Sequence, residues 1–184
     1  MSVVLCSRNA HKARELEGLL PGWSIATLDA DDYPPENGDT YYENALLKAR
    51  FGHERAGGWT LGDDSGIEVA ALGGAPGVVT ARWAEGRHVE KALAALDGVD
   101  DRRAQYVCEL VAIAPDGDEV VGTGVLRGEI ALSAAGSEGF GFDPVFVPLG
   151  EARTVAELGD AWKAEHSHRA LAAHALRDAI SQRR

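Results

Sequence analysis

A mixed α/β fold is what this 184-residue sequence predicts, and three features carry that reading. The chain opens as strand, polar turn and helix. A T-x-x-E capping signal at Thr40 and Glu43 then starts a second amphipathic helix. Further on, two apolar segments flank the turn Pro115-Asp116-Gly117-Asp118 and read as an antiparallel hairpin. Strands able to run parallel alongside a hairpin imply a mixed sheet, curved around a cleft, with helices against it.

Taken in order, Ser2 to Cys6 is a short Val-rich apolar run and reads as a buried strand leading into Ser7-Arg8-Asn9. From Ala10 to Leu20 the apolar Ala13, Leu16, Leu19 and Leu20 recur at helical spacing, and Pro21-Gly22 ends the pattern. Trp23 to Leu28 reads as a second strand, and the acidic, proline-containing Asp29 to Asp39 as a loop. The helix begun at Thr40 runs to the Gly57-Gly58 break. Trp59 to Gly62 is expected as a brief strand ending at Asp63-Asp64-Ser65-Gly66, followed by Ile67 to Leu72 and a glycine-rich turn at 73–77. A helix from His88 to Leu96 precedes the hairpin strands, Tyr106 to Ile113 and Glu119 to Leu126. A glycine cluster at 136–141, the apolar run Val145 to Val147 and a closing helix from Ser167 to Ser181 complete the chain. There is no internal repeat and no low-complexity tract, so residues 1–184 are expected to form a single domain.

Composition narrows the function. The formal net charge of −11 disfavours a polyanionic backbone, so nucleic acid is a poor partner. A small polyphosphate remains compatible, because a few cations around a divalent metal neutralise it locally. Cys6 and Cys108 lie in strand-like segments without zinc spacing and read as buried free thiols. No basic leader precedes a long apolar stretch, and no run approaches the roughly eighteen apolar residues of a membrane span, so a soluble, cytoplasmic protein is expected.

Several segments carry chemistry. Ser7, Arg8, Asn9, Ala10, His11 and Lys12 join a strand end to a helix N-terminus, where backbone N–H groups, the helix dipole and a lysine favour a phosphate. Taken alone, that segment reads rather as a helix cap at Asn9 and a solvated Lys12. Asp63 and Asp64 place two adjacent carboxylates where alternation lets only one face a given pocket; they read either as a solvated turn or as a magnesium site, with Glu36 as a second oxygen donor. For Glu43 the capping box is the favoured explanation over metal binding. Lys163, His168 and Arg169 form either a surface cluster around a helix start or a cationic wall. Phe140 and Phe142 alternate with glycines, as packing residues or as platforms for a planar ligand.

In this order, the segments SRNAHK, ENGDTYYENALLKAR, DDSGIEVAALGGAPGVVTARW, GFGFDPVF and SHRAL resemble the inosine and xanthosine triphosphate pyrophosphatase family across almost the whole chain. The resemblance implies two lobes around a long mixed curved sheet with a central substrate cleft, a homodimer, and Mg2+-dependent hydrolysis of ITP, dITP and XTP to the monophosphate and pyrophosphate. It implies that Ser7 to Lys12 grip the triphosphate, that Asp64 is proton acceptor and metal ligand with Glu36 as the second ligand, and that Ser65 contacts substrate. Phe140, Gly141, Phe142 and Asp143 would line the base pocket, with Lys163, His168 and Arg169 completing substrate binding. For 6-oxo purines, His168 and Arg169 are candidate donors to O6, with Phe140 or Phe142 stacking on the ring.

Three departures stand out: Ser7-Arg8 where Thr-Gly is frequent, Gly62 where Ala is common, and Trp162 before Lys163 where Glu is frequent. The segment from Trp83 to Lys91 is also short. Two alternatives share the phosphate-binding features: a pyrophosphatase for other modified or ordinary nucleotides, and a nucleotide-binding module without catalysis.

Overall fold

The computed structural model describes residues 1–183. Its elements run β1 (Ser2–Leu5), α1 (Ala10–Leu19), β2 (Ser24–Thr27), α2 (Tyr41–Ala56), β3 (Trp59–Val69), α3 (Thr80–Ala84), α4 (His88–Ala95), β4 (Arg103–Ile113), β5 (Glu119–Ile130), β6 (Phe146–Pro148), α5 (Val155–His166) and α6 (His168–Gln182). The strands form an open six-stranded sheet in the order β2-β1-β3-β4-β5-β6. β1 pairs parallel with both β2 and β3, whereas β5 and β6 pair antiparallel, so the sheet is mixed as expected. β4 and β5 are neighbours joined by a tight turn closed by Ala114 N to Asp118 O at 2.8 Å. A connection that short allows only the antiparallel sense.

Contacts divide the chain into two compact units. The first comprises Met1–Ser65, Cys108–Gly124 and the chain from His168; the second comprises Gly66–Val107 and Val125–Ser167. In the first, Val3 and Leu5 of β1, Leu16 and Leu19 of α1, Leu61 of β3, Leu110 of β4, and Ala172, Ala173 and Leu176 of α6 form the core. Small residues let α6 and α2 lie directly on strands. A Cβ on Gly124 would meet His168 O at 2.0 Å, and one on Gly62 would meet Ala45 O at 1.9 Å. Gly62 therefore answers a close helix–strand approach that no larger residue fits as the backbone stands. In the second unit Ile67, Val69, Leu96, Tyr106, Ile130, Phe142 and Phe146 form a separate core.

Two sequence expectations change. β3 does not end before the acidic pair: it runs unbroken from Trp59 to Val69, so Asp63 and Asp64 sit in mid-strand and not in a turn. The strand continues through that point and each carboxylate is buried against cations, so local turn chemistry gave the wrong boundary. Lys163 does not stand outside helical structure before the last helix; it belongs to α5, which the sequence reading missed. The overlooked signal is Thr154 and Glu157, a second T-x-x-E box in which Thr154 Oγ1 accepts from Glu157 N at 3.2 Å and Glu157 Oε2 from Thr154 N at 2.9 Å.

Candidate active site

Strand alternation separates the two aspartates of β3. Asp63 and Ser65 face one side of the sheet and Asp64 the other, as side chains of i, i+1 and i+2 must. On the first side, Asp63 is fully buried and ion-pairs with Lys12 of α1 and with Arg169 of α6, whose Nε lies 2.7 Å from Oδ2. Lys12 Nζ also reaches Asp63 O at 3.4 Å. Arg169 Nη2 donates to Ser65 Oγ at 3.0 Å, and Nη1 pairs with Glu15. Burial by itself would raise Asp63, but Arg169 and then Lys12 outweigh it and hold the carboxyl well below the ordinary range.

On the other side, Asp64 meets α2. Lys48 Nζ lies 3.2 Å from Asp64 Oδ1 and 2.7 Å from Glu36 Oε1, while Asn44 Nδ2 donates to Asp64 Oδ2 at 3.3 Å. Burial pushes the Asp64 carboxyl above its usual value, with Lys48 opposing and Glu36 adding to the rise. Lys48 is buried too; desolvation alone would lower it, but Asp64 and Glu36 keep it raised and charged. Asp64 is thus a carboxylate whose environment favours taking up a proton, the property a general base needs.

Asp64 and Glu36 share one ammonium between them, and two hard carboxylates so gathered suit a small divalent cation that keeps waters for phosphate oxygens to replace. Among the described residues, no group of three or more His, Cys, Asp and Glu forms a fuller metal cage. Glu43 serves the cap: its Oε2 accepts from Thr40 N at 3.1 Å and Asp39 N at 2.7 Å.

Lys48 and Asn44 are the functional candidates that the sequence reading passed over. Both lie on the buried face of α2 with Tyr41, Ala45, Ala49 and Gly52, so two polar residues at i, i+4 in an otherwise apolar stripe were the available signal.

The N-terminal segment is built as a helix cap. Asn9 Oδ1 accepts from His11 N at 2.9 Å and Lys12 N at 3.4 Å, and Asn9 N donates to Ser7 Oγ at 3.2 Å. Ala10 and His11 are exposed at the first turn. Arg8 turns toward the acidic loop, hydrogen-bonding Asp31 O and lying 5.0 Å from the Tyr33 ring.

Within the second unit, buried Asp143 gathers three donors: Lys163 Nζ at 2.8 Å, Phe140 N at 2.9 Å and Tyr106 Oη at 3.3 Å. Lys163 Nζ stands 4.5 Å from the centre of the Phe140 ring. Gly141 is held at φ 66°, a conformation that favours glycine.

Two of the suggested residues are enclosed by protein. Phe142 is 3% exposed and packs in the core, with the Trp83 ring at 6.3 Å and the His88 ring in a T-shaped arrangement at 4.9 Å. Arg169 is 1% exposed, with its donors spread over Asp63, Glu15 and Ser65. His168 is half-buried at the first position of α6.

Residues 3–179 match the Ham1 family. The dITP/XTP pyrophosphatase of Leifsonia xyli subsp. xyli is 43% identical, over 95% of this chain and 92% of its own length. That of Thermus thermophilus is 42% identical, over 97% and 91%. Among solved structures, the Staphylococcus aureus Ham1 protein superposes with a TM-score of 0.88 at 33% identity over 100% of both chains, and a HAM1 protein from Coxiella burnetii with 0.86 at 34% over 99% of both. With residues 3–179 matched to the family and its fold shared with two solved members, the chain belongs to the Ham1 family.

Proposed function

We propose that this protein is a nucleoside triphosphate pyrophosphatase that hydrolyses deaminated purine nucleotides, dITP, ITP and XTP, to the monophosphate and pyrophosphate, with residues 1–184 acting as one catalytic domain. The observation that carries the reading is Asp64, a buried carboxylate of raised proton affinity held by Lys48 and Asn44 beside Glu36. Relatives at about this similarity bear the name dITP/XTP pyrophosphatase, which supports the same substrate class.

Asp64 takes the proton from the attacking water, and Lys48 and Asn44 fix the orientation of its two oxygens. Lys12 presents its ammonium at the first turn of α1, where a phosphate also meets the helix N-terminus; Ser7 to His11 form the rest of that grip. Arg169 keeps Asp63 neutralised when Lys12 turns to the phosphate. Asp64 and Glu36 would hold Mg2+, which when bound offsets the charge that builds on the departing pyrophosphate. Ser65, Phe140, Gly141, Asp143, Lys163 and His168 belong to substrate binding on the strength of the resemblance, with Phe140 as the ring that would stack on a base. A cytoplasmic homodimer is the expected working form, and sedimentation equilibrium tests the dimer. Among the described residues no helix is long and apolar enough to cross a membrane.

The deciding experiment measures pyrophosphate released from dITP, XTP, GTP and ATP with and without Mg2+. Metal-dependent release from the first two is expected. Asp64→Asn should lower kcat at least about 100-fold, the scale of a lost general base, while dITP binding persists. Release confined to GTP or ATP would overturn the substrate assignment, and tight binding without any release would overturn catalysis.

A further inference from the structure

Helix α5 is two helical pieces in sequence. Gly159 interrupts it at φ 85° and ψ 176°, a backbone region open essentially to glycine alone. Asp160 therefore begins a new first turn whose backbone N–H groups need acceptors from elsewhere. Such turns ordinarily receive one from a Ser, Thr, Asp or Asn side chain at the N-cap, and glycine has none to give. Glu138, from the glycine-rich loop before Phe140, takes that place: its Oε2 accepts from Asp160 N at 2.9 Å.

The surrounding fit is close. A Cβ on Gly159 would stand 2.8 Å from the same carboxylate oxygen, and one on Gly136 would stand 2.4 Å from the carbonyl carbon of Ala156. Glu138 N donates to Ala156 O at 3.4 Å. A carboxylate at a helix N-terminus also gains from the helix dipole. Lys163 lies in the helical piece begun at Asp160, where it pairs with Asp143 and stands over the Phe140 ring. The same loop thus grips this piece twice, at its start through Glu138 and farther along through Asp143.

We propose that Glu138 is a positioning residue for nucleotide binding: by capping the second half of α5 from the loop, it holds Lys163 in register with Phe140 and Asp143. Glu138 acts through these groups and does not itself touch substrate. The inference rests on the functional reading above only in taking Lys163 and Phe140 as substrate-binding.

Steady-state turnover of dITP, dITP affinity by titration calorimetry and amide exchange over residues 160–166 test it in Glu138→Ala and Glu138→Gln. Glu138→Ala should raise KM and the dissociation constant about fivefold, the scale of one lost cap, with kcat within about twofold and faster exchange over 160–166. Glu138→Gln keeps an acceptor oxygen and should recover most of the affinity and protection. Unchanged affinity in Glu138→Ala overturns the proposal, whether or not exchange quickens, and so does a loss that Glu138→Gln fails to recover. If the wild-type chain binds dITP without hydrolysing it, the hydrolase reading falls, and the Glu138 inference stands or falls on affinity alone.

Discussion

At the residue scale, the adjacent aspartates show how one strand assigns two carboxylates opposite chemistry. Asp63 is locked between Arg169 and Lys12 and stays ionised, whereas Asp64, buried with a second carboxylate nearby, is raised toward proton uptake. Replacing Asp63 leaves Lys12 without its counter-ion and Arg169 with Glu15 alone, so Asp63→Asn should lose about 3–5 kcal/mol at pH 7 by urea unfolding. Its pH dependence has a definite sign. Because the folded carboxyl is held below its ordinary value near about 3.9, the stabilisation is full above that value and is lost as pH falls beneath it. The gap between wild type and variant should therefore persist at pH 5 and shrink below about pH 4. An unchanged gap at pH 3 would show that Asp63 is not the titrating group. The alternation that separates the pair was legible in sequence. Their partners were not, since nothing near residues 63 and 64 signals Arg169, 106 residues away.

At the element scale, helices meet strands through missing side chains. α6 crosses β5 where Gly122 and Gly124 leave room, and a methyl group at either would stand within 2.3 Å of α6 carbonyl oxygens. Gly124→Ala should push the first turn of α6 outward and cost about 1–3 kcal/mol, the usual range for overpacking. That turn carries Arg169, so turnover should fall as well, and a variant with wild-type melting and rate would show that α6 yields freely. The first strand, α1, α2 and the 104–126 hairpin were all readable, because periodicity, caps and turn residues are local. The continuation of β3 through the acidic pair was not readable, since Asp-Asp-Ser-Gly has turn composition and only pairing with neighbours overrides it. α5 was readable and was passed over, because Gly159 breaks its periodicity just after the capping box.

At the scale of the whole molecule, a net charge of −11 coexists with a site made for a polyanion. The lysines near β3 are few and local: Lys12 and Lys48, each set against a β3 carboxylate. The surface charge governs solution behaviour instead. With a pI near 4.9, solubility by light scattering should be lowest around that pH and recover on either side. A minimum displaced toward neutral pH would mean that acids titrate above their ordinary values. The cysteines add no redox chemistry to this picture: burial pushes the Cys6 thiol up to about 11 and raises Cys108 further, leaving both inert.

The sequence by itself determined the fold class, the helices with caps and continuous periodicity, the hairpin, and the segments that bear chemistry, because each is written in spacing over a few residues. Only the tertiary structure decided which charges meet: Lys48 with Asp64 and Glu36, Arg169 with Asp63 and Glu15, and Asp143 with Lys163. The physical reason is that apolar periodicity records which face of an element is buried. Burying a charge depends on a partner that folding alone brings from a distant part of the chain.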